Sequence, residues 1–533
     1  MNKINFLLIA VIVISITIRL WISWLPVPVL LEKIMVDDTF YGLSISKNIA
    51  YGIGMSFDGN DPSNGFQPLW LFVIAPFFWL INDLNIVTNL ILTFASIVDI
   101  FTIILVYKFT KELFDEKIAL LSAAFFGLNP LIIFQTLSGL DVVLSTFFVI
   151  LSLYIYLKVK NNLNLKNKLF LGLVLGLSIL ARMDNILLFA AISIYILLSN
   201  KSKVTIKNFI LISLTAFLVV FPWLLWSFIT FGSIMPSSGT ARYSLNHGVG
   251  PFFDYNLKSS FDLIIENVYR SFGIIFHLLG VVNFNLNSLY ALIPLFLSIV
   301  LLFSFKRENM KKLGVFILYA IFLFIFYGFY FLGVQIRYFT PFIPAFLILL
   351  VLGLQSMSSK ISKNKNIFYI ISLALLAIII INGAQQWNDG YFKWQTPLYQ
   401  DALWLKENTK PYEVSGSFNT GILSFFSDRR VINLDGVVNS EVMDAIKNRS
   451  VVNYIKSKNV SFWVDVVHFN QTVYNGVKDG SLRINIPKDT YYEDYLGEGK
   501  EDLILIDQRY EFYKHLRGFD MVSFFFKMKV KYD

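Results

Sequence analysis

The sequence predicts a polytopic α-helical membrane protein with about eleven transmembrane helices, ending in an extracytoplasmic α/β domain. The first observation is composition, since 56% of the 533 residues are hydrophobic and only 15% are charged, whereas about 25% are charged in an average soluble protein. The second is that long apolar runs recur up to about residue 383 and then stop. Beyond that residue, the short apolar runs 414–418, 430–434 and 461–464 lie between turn residues and helical patterns, which predicts strands alternating with helices in a small α/β domain.

The charges are distributed as expected for a membrane protein. The net charge is +9, and residues 1–383 hold 26 Lys and Arg against 16 Asp and Glu, while residues 384–533 hold 19 against 20. The basic excess therefore belongs to the membrane part, where cytoplasmic loops carry it, and no basic face indicates a nucleic-acid partner. The absence of cysteine excludes disulfides, thiolate nucleophiles and cysteine-ligated metals, and the four histidines disfavour a histidine-rich metal site.

The apolar runs and the lysines together predict a topology. The first run, residues 4–25, follows Lys3 and is interpreted as an uncleaved signal anchor. The further predicted spans are 86–107, 117–134, 141–157, 169–181, 184–198, 208–231, 287–305, 313–333, 338–355 and 367–383. Lysines and arginines cluster in every second loop, so we expect a multi-pass plasma-membrane protein with a cytoplasmic amino terminus.

One apolar segment, residues 69–81, does not fit this alternation, because a further span there would move every lysine-rich loop outside. We therefore interpret it as a juxtamembrane or re-entrant helix. Two long stretches, 26–85 and 232–286, then face outward. The predicted domains are a transmembrane catalytic domain, residues 1–387, and an extracytoplasmic α/β domain, residues 388–533.

Asp37 and Asp38 lie in the first outward stretch, shortly after the first span, which places them at the outer membrane boundary. A carboxylate there is well placed to act as a general base, although an ordinary solvated acidic pair would look the same in a sequence. Two charges inside predicted spans, Arg19 and Asp99, are costly unless they are neutralised, so we expect them to pair with each other for structural reasons.

The residues around the acidic pair resemble a known family. The stretch Val36-Asp37-Asp38-Thr39-Phe40-Tyr41 and the later Ser63-Asn64-Gly65-Phe66-Gln67-Pro68 are similar to the first extracytoplasmic loop of the C superfamily of membrane glycosyltransferases (GT-C), in particular its protein mannosyltransferase and aminoarabinose transferase-like group. The segment Gln335-Ile336-Arg337-Tyr338-Phe339-Thr340-Pro341 resembles the late Arg-Tyr-x-x-Pro motif of that family. The resemblance covers nearly the whole chain but consists of short motifs.

The resemblance implies roles for individual residues. Asp37, with Asp38 as the alternative, would be the base that contacts the acceptor, and Asp141 would be the second acidic residue at the substrate. Arg337 would hold the donor phosphate together with Tyr338. The remaining candidates that the resemblance marks are Arg182, Asp184, Asn64 and Arg242. Metal dependence stays open between no metal and a divalent cation such as Mg²⁺ or Mn²⁺, because no clear D-x-D motif is visible.

The function that the resemblance implies is transfer of a hexose or pentose from a polyprenyl-phosphate-linked donor to an extracytoplasmic glycan, lipid or protein, with inversion. A departing phosphate needs no proton, so one base and one arginine suffice. The C-terminal domain would help to recognise the acceptor and lie apart from the catalytic residues. Two alternatives remain, a transporter or flippase of lipid-linked sugars and a non-catalytic envelope assembly protein. Loss of sugar transfer on replacing Asp37 alone would distinguish an enzyme from both.

Overall fold

The structure is a computed structural model of the chain. It describes residues 3–199, 203–239, 241, 257–279, 292–330, 335–390, 392–469, 477–478, 496, 498–514 and 520–532. The membrane part contains helices α1 (Lys3–Ser23), α2 (Val27–Lys33), α3 (Asp37–Ala50), α4 (Pro68–Ile74), α5 (Phe77–Leu80), α6 (Leu84–Leu113), α7 (Glu116–Gly127), α8 (Pro130–Thr136), α9 (Val142–Val159), α10 (Leu165–Ala181), α11 (Ile186–Ser199), α12 (Lys203–Phe231), α13 (Leu257–Leu278), α14 (Leu292–Ser304), α15 (Arg307–Lys312), α16 (Gly314–Tyr330), α17 (Ile336–Phe339), α18 (Ile343–Ile361) and α19 (Asn366–Asp389).

The helices confirm a polytopic membrane protein. Within the described residues, six are long and apolar enough to cross a bilayer, and a bent pair would make a seventh. The other four predicted spans correspond to α10, α11, α14 and α16, which have 17, 14, 13 and 17 residues. At 1.5 Å per residue, even 17 residues reach only about 25 Å of the roughly 30 Å hydrocarbon layer. The count of eleven therefore stays a prediction.

The predicted span 117–134 is not one straight helix. It consists of α7 and α8, which meet at an angle of 64°. Asn129 caps α8 by accepting a hydrogen bond from the amide of Leu131, and Pro130 takes the first helical position, where its missing amide costs nothing. Pro130 would also exclude a continuous helix, because a proline ring clashes with the preceding turn. The break matters because the residues after α8 lead directly to Asp141.

Arg19 and Asp99 form an ion pair, as the sequence predicted. The Nη2 and Nε atoms of Arg19 lie 2.7 and 2.8 Å from Oδ2 of Asp99, and neither side chain is exposed. Arg19 also donates to the carbonyl of Gly127 at the end of α7, and Thr136 in α8 donates to Asp99. The pair therefore fastens α1 and α6 to the break between α7 and α8.

Short helices follow the first span on the chain. The acidic pair opens α3, where negative side chains are favoured by the unpaired amides of the first turn. The segment 69–81, expected to be a helix too short to span, is divided between α4 and α5 with Pro76 between them. The second predicted outward stretch, 232–286, contains α13, which packs on membrane helix α16 through a hydrogen bond from Asn267 to the carbonyl of Gly328.

The C-terminal domain is a mixed β/α domain with a five-stranded sheet. Its elements are helix α20 (Gln395–Asn408), strand β1 (Val414–Ser417), helix α21 (Gly421–Ser427), strand β2 (Val431–Asn433), helices α22 (Val442–Lys447) and α23 (Val451–Ser457), and strands β3 (Val460–Phe469), β4 (Leu503–Lys514) and β5 (Asp520–Val530). The strand order is β2-β1-β3-β5-β4, with β1 parallel to β2 and β3 and the last three strands antiparallel. The sequence predicted β1, β2 and β3. Because β1 and β2 are parallel, the loops that follow them meet at one edge of the sheet.

The first prediction concerns orientation, which follows from the lysine-rich loops. Lys363, between α18 and α19, and Asp444, in the C-terminal domain, are both exposed. A cysteine replacing Lys363 should be shielded from a membrane-impermeant thiol reagent in intact cells, and one replacing Asp444 should react. The native chain has no cysteine, so the background is clean, and both sites should react in permeabilised cells. The opposite pattern would reverse the proposed orientation.

The second prediction concerns the buried ion pair. Arg19→Leu should lower the free energy of unfolding by about 3 to 5 kcal/mol, because it leaves the buried Asp99 carboxylate without a cation to neutralise it. Thermal unfolding in detergent measures the effect, and Thr17→Val is the control because Thr17 is an exposed residue of the same helix. The double variant Arg19→Leu/Asp99→Leu should recover part of the loss. A single variant as stable as wild type would show that the pairing is dispensable.

Candidate active site

Asp37 is the first residue of α3, yet its nearest polar partners come from the C-terminal domain. Its Oδ1 accepts a hydrogen bond from the amide of Ile422 at 2.7 Å, and its Oδ2 accepts one from the amide of Gly421 at 3.2 Å. The residue is only 6% exposed. The expectation of a solvated outer-loop acid therefore does not hold for Asp37, because the C-terminal domain covers it.

This burial changes the acid–base behaviour of Asp37. Removal from water raises the pKa of its carboxyl from 3.8 to about 7, and the nearby carboxylates of Asp38 and Asp435 act in the same direction. The amides of Ile422 and Gly421 stabilise the charged form and oppose the shift. A carboxyl with a pKa near 7 exchanges its proton readily at neutral pH, which is the property that a general base requires.

Asp38, one residue later, meets a different partner. Its Oδ2 lies 2.7 Å from Nη2 of Arg337, which is in the short helix α17. About one third of the Asp38 side chain is exposed, twice as much as for Arg337. The two residues are 299 positions apart, so the fold alone brings the acidic pair and the predicted phosphate-binding arginine together.

Tyr338 lies between two arginines. The guanidinium carbon of Arg337 is 5.6 Å from the centre of its ring, and that of Arg182 is 5.2 Å away. The ring of Tyr327 stacks on Tyr338 at 4.8 Å and is nearly parallel to it. The negative face of an aromatic ring attracts cations, so Tyr338 holds two positive groups in one small region.

Arg182 joins the other two predicted acidic residues. It donates from Nη1 to Asp141 at 2.9 Å, and from Nε and Nη2 to the two oxygens of Asp184 at 3.1 and 3.0 Å. Asp184 also accepts a short hydrogen bond from the hydroxyl of Tyr327. Arg182 and Asp184 both lie in the short connection between α10 and α11. Their bidentate pair therefore stabilises this connection and also orients Arg182.

The loop that connects α8 to α9, residues 137–141, is held directly against α3. Thr39 donates to the carbonyl of Ser138 at 2.7 Å, and the indole of Trp70 donates to the carbonyl of Gly139 at 2.9 Å. Gly139 has a φ of +79°, and a β-carbon there would lie 2.6 Å from Thr39. Glycine is thus required for both reasons, and it brings Asp141 to the same side as the acidic pair.

Asn64, a further candidate, does not join this group. It is buried, donates to the hydroxyl of Ser227 and to the carbonyl of Met235, and accepts from the amide of Ser237. These contacts tie the first outward stretch to the end of α12. Arg242 lies outside the described residues.

The carboxylates do not form a metal-binding cluster. Among the described residues, no group of three or more His, Cys, Asp or Glu side chains is arranged to hold a metal ion. The candidate acids are instead engaged by the amides of Gly421 and Ile422, by Arg337 and by Arg182. No metal is assigned to these carboxylates.

Sequence reasoning missed three contributors to this site. Gly421 and Ile422 contact Asp37 from more than 380 positions away, and Tyr327 binds Asp184 from inside an apolar helix whose other residues give it no distinguishing pattern. A tyrosine hydroxyl in a membrane helix needs a polar partner, which is the only signal that the sequence offered for Tyr327. Nothing local marks the two amides.

Comparison with families links two parts of the chain to known domains. Residues 66–226 match the family model described as dolichyl-phosphate-mannose-protein mannosyltransferase. Residues 385–522 match a family described as a domain of unknown function. No curated protein matches the chain significantly by sequence.

Solved structures extend the likeness to almost the entire chain. ArnT from Cupriavidus metallidurans in the apo state superposes with a TM-score of 0.57 at 9% identity, covering 96% of this chain and 97% of that one. The same protein bound to undecaprenyl phosphate gives a TM-score of 0.54 at 11% identity, with the same two coverages, 96% and 97%. At such identities the likeness shows a shared fold.

A second protein has the same fold in a longer chain. The oligosaccharyltransferase from Archaeoglobus fulgidus, in a complex with Zn and sulfate, superposes with a TM-score of 0.53 at 15% identity, covering 85% of this chain and 67% of that one. Its complex with an inhibitory peptide and a dolichol-phosphate gives the same TM-score of 0.53 and the same 15% identity. The two relatives therefore share one membrane architecture with this chain.

Proposed function

The chain has the fold of the GT-C membrane glycosyltransferases, and from that premise we propose that it transfers a sugar from a polyprenyl-phosphate-linked donor to an extracytoplasmic acceptor. The observation that carries the proposal is the 2.7 Å contact between Asp38 and Arg337. This contact places a guanidinium next to the Asp37–Asp38 carboxylate pair. The reaction needs a carboxylate as the base and a cation to stabilise the departing phosphate.

Asp37 is the proposed general base, with Asp38 as the alternative. The base takes the proton of an acceptor hydroxyl while that oxygen attacks the anomeric carbon of the sugar, and the bond between this carbon and the phosphate oxygen breaks. Each oxygen of Asp37 accepts one amide hydrogen bond, and each carboxylate oxygen can accept two. Asp37 therefore retains capacity for an acceptor hydroxyl. One displacement of this kind inverts the configuration at the anomeric carbon.

Arg337 is proposed to receive the departing phosphate. Within the described part of the chain, only its Nη2 donates a hydrogen bond to a protein acceptor, and a guanidinium has five donors in a planar fork. The others suit the oxygens of a phosphate, and Tyr338 and Asp38 hold the guanidinium in place. Negative charge accumulates on the phosphate as the sugar leaves, so a fixed cation there lowers the barrier.

We propose that a second charged group, formed by Asp141, Arg182 and Asp184, stabilises the site next to Asp38 and Arg337. Arg182 neutralises both acids, so their side chains are fixed by charged hydrogen bonds in a partly apolar place. Asp141 also acts electrostatically on Arg337. The polyprenyl tail of the donor would remain in the bilayer, and the acceptor, an envelope glycan, lipid or protein, would come from the outer side.

The third prediction separates the two candidate bases. Asp37→Asn removes the basic oxygen while keeping the side chain's shape, so transfer from a defined polyprenyl-phosphate sugar should fall by about 10²- to 10⁴-fold. Asp38→Asn should reduce transfer less, because its neighbour would still accept the proton. Yield and thermal stability of both variants are measured in parallel, since Asp37 is buried. Equal wild-type rates in the two variants would refute the mechanism.

The pH dependence gives this comparison a second readout. Because the pKa of Asp37 is raised to about 7, the carboxyl is protonated and inactive as a base below that pH. The rate should therefore rise with pH through about 7, where half of the carboxyl is ionised, and become level about one unit above this pKa. A profile that is flat between pH 5 and 8, a range of about three units that brackets this pKa, would assign the base elsewhere.

The fourth prediction concerns Arg337. Arg337→Ala should raise the KM for the donor and lower kcat, and Arg337→Lys should restore only part of the activity, because an ammonium does not reproduce the guanidinium fork. Arg270→Ala is the matched control, since Arg270 is exposed and pairs only with Glu266 in its own helix among the described residues. Donor affinity that stays at the wild-type value in Arg337→Ala would remove this residue from the phosphate site.

A further inference from the structure

The proposed base is held from across the domain boundary. The segment 418–422 of the C-terminal domain connects β1 to the first turn of α21. Its last two amides are the groups that donate to Asp37. If Asp37 is the base, the domain that we expected to recognise the acceptor also contacts the reacting carboxylate.

The fit between the segment and Asp37 is tight. A β-carbon added to Gly421 would lie 2.1 Å from the backbone oxygen of Asp37 and 3.0 Å from its Oδ1. Real β-carbons do not approach backbone oxygens to 2.1 Å, so one of the two segments would have to move. Around this contact, the ring of Phe40 packs on Phe425 and Phe426 at 5.4 and 5.2 Å, which keeps water away from the carboxylate.

The sheet of the C-terminal domain fixes the segment. Asp465 in β3 is fully buried and accepts hydrogen bonds from the amide of Phe418 at 2.6 Å and the side chain of Asn419 at 2.9 Å. Asn433, at the end of β2, donates to Thr420 at 2.8 Å. Three consecutive residues before Gly421 are thus anchored, and the two amides have little freedom.

We propose that the C-terminal domain is part of the catalytic site, and that its segment 418–422 positions the Asp37 carboxylate through the amides of Gly421 and Ile422. The inference rests on the proposed function, because it requires Asp37 to be the base. Gly421 is a positioning residue in this arrangement and touches no substrate. The two amides, one to each carboxylate oxygen, fix the orientation of the Asp37 side chain.

Docking of the domain does not depend on this contact alone. Arg430 pairs with Asp58 at 2.8 Å, Lys47 with Asp428 at 3.3 Å, and Ser237 donates to the carbonyl of Val437 at 3.1 Å. Displacing the segment by a methyl group should therefore leave the two domains associated. The orientation of Asp37 can be tested separately from the presence of the domain.

The experiment compares Gly421→Ala with Gly416→Ala in the full-length protein. Gly416 lies in the same domain, and the three atoms nearest to its added β-carbon would all be side-chain atoms of Leu434 and Val460, the closest at 3.2 Å. Gly421→Ala should lower kcat by about 10- to 100-fold, the scale expected when a reacting group is displaced by about 1 Å. The donor KM should stay within about two-fold of wild type, because the phosphate site is unchanged. Gly416→Ala should behave like wild type.

The pH profile distinguishes positioning from general damage. Displacement of the segment admits water to Asp37, which lowers its pKa, and weakens the two amide hydrogen bonds, which raises it. Because burial is the largest cause of the raised pKa, the acid limb should move to lower pH. The charged or titratable groups that face Asp37 are Asp38 and Tyr41 of its own helix and Asp435 of the C-terminal domain, and the substitution changes none of them. A folded but generally weakened enzyme would keep the limb where it is.

Chemical labelling of Asp37 tests the same point without measuring sugar transfer. A water-soluble carbodiimide with an amine should label Asp37 in Gly421→Ala and leave it nearly unlabelled in wild type, with the exposed Asp444 as internal reference. If Gly421→Ala does not fold, Asn419→Ala takes its place, since it removes one tether of the segment and should lower kcat in the same direction by a smaller factor.

The outcomes separate the two proposals. Lower kcat, unchanged donor KM, a shifted acid limb and a labelled Asp37 support the inference. If wild type transfers sugar and Gly421→Ala, with Asp37 labelled, transfers equally well at the same pH profile, the inference is wrong and the proposed function stands. If wild type transfers from no polyprenyl-phosphate donor, both fail together.

Discussion

Pairing of buried charge is the constraint on which this structure depends. An unpaired charge in an apolar environment costs several kcal/mol or more, so it must find a partner wherever the fold allows one. Arg19 meets Asp99 and Arg182 meets Asp141 and Asp184. Arg19–Asp99 and Arg182–Asp141 join residues that are 80 and 41 positions apart, whereas Arg182–Asp184 is a local pair.

Asp37 satisfies the same constraint in another way. Its partners are two neutral amides, which compensate a negative charge less than an arginine does. The two amides therefore only partly offset the effect of burial, and the pKa of Asp37 is raised to about 7. Asp38, with Arg337 beside it, is the contrasting neighbour. Two adjacent carboxylates therefore have different surroundings, and such a difference is how proteins assign acid–base roles to similar side chains.

The membrane part and the C-terminal domain are distinct in sequence but contact each other closely in the structure. Composition changes near residue 384, and the family models match separate ranges, 66–226 and 385–522. In the structure, the loops after β1 and β2 come together at one sheet edge, and the first of them covers Asp37. A carbonyl of that second loop, in Val437, comes so close to Gly65 that a β-carbon there would lie 1.9 Å from it.

The sequence by itself determined what depends on composition and local pattern: the polytopic helical class, the mixed C-terminal domain with its first three strands, and the pairing of Arg19 with Asp99. Hydropathy and short motifs depend on residues close together in the chain, so they can be recognised in the sequence alone. Tertiary structure decided that Asp38 and not Asp37 meets Arg337, that Asn64 bridges backbones, that 117–134 bends, and that Gly421 and Ile422 hold Asp37. These contacts join residues up to 385 positions apart, and backbone amides are the same in every residue except proline, so no sequence pattern distinguishes the two that reach a carboxylate.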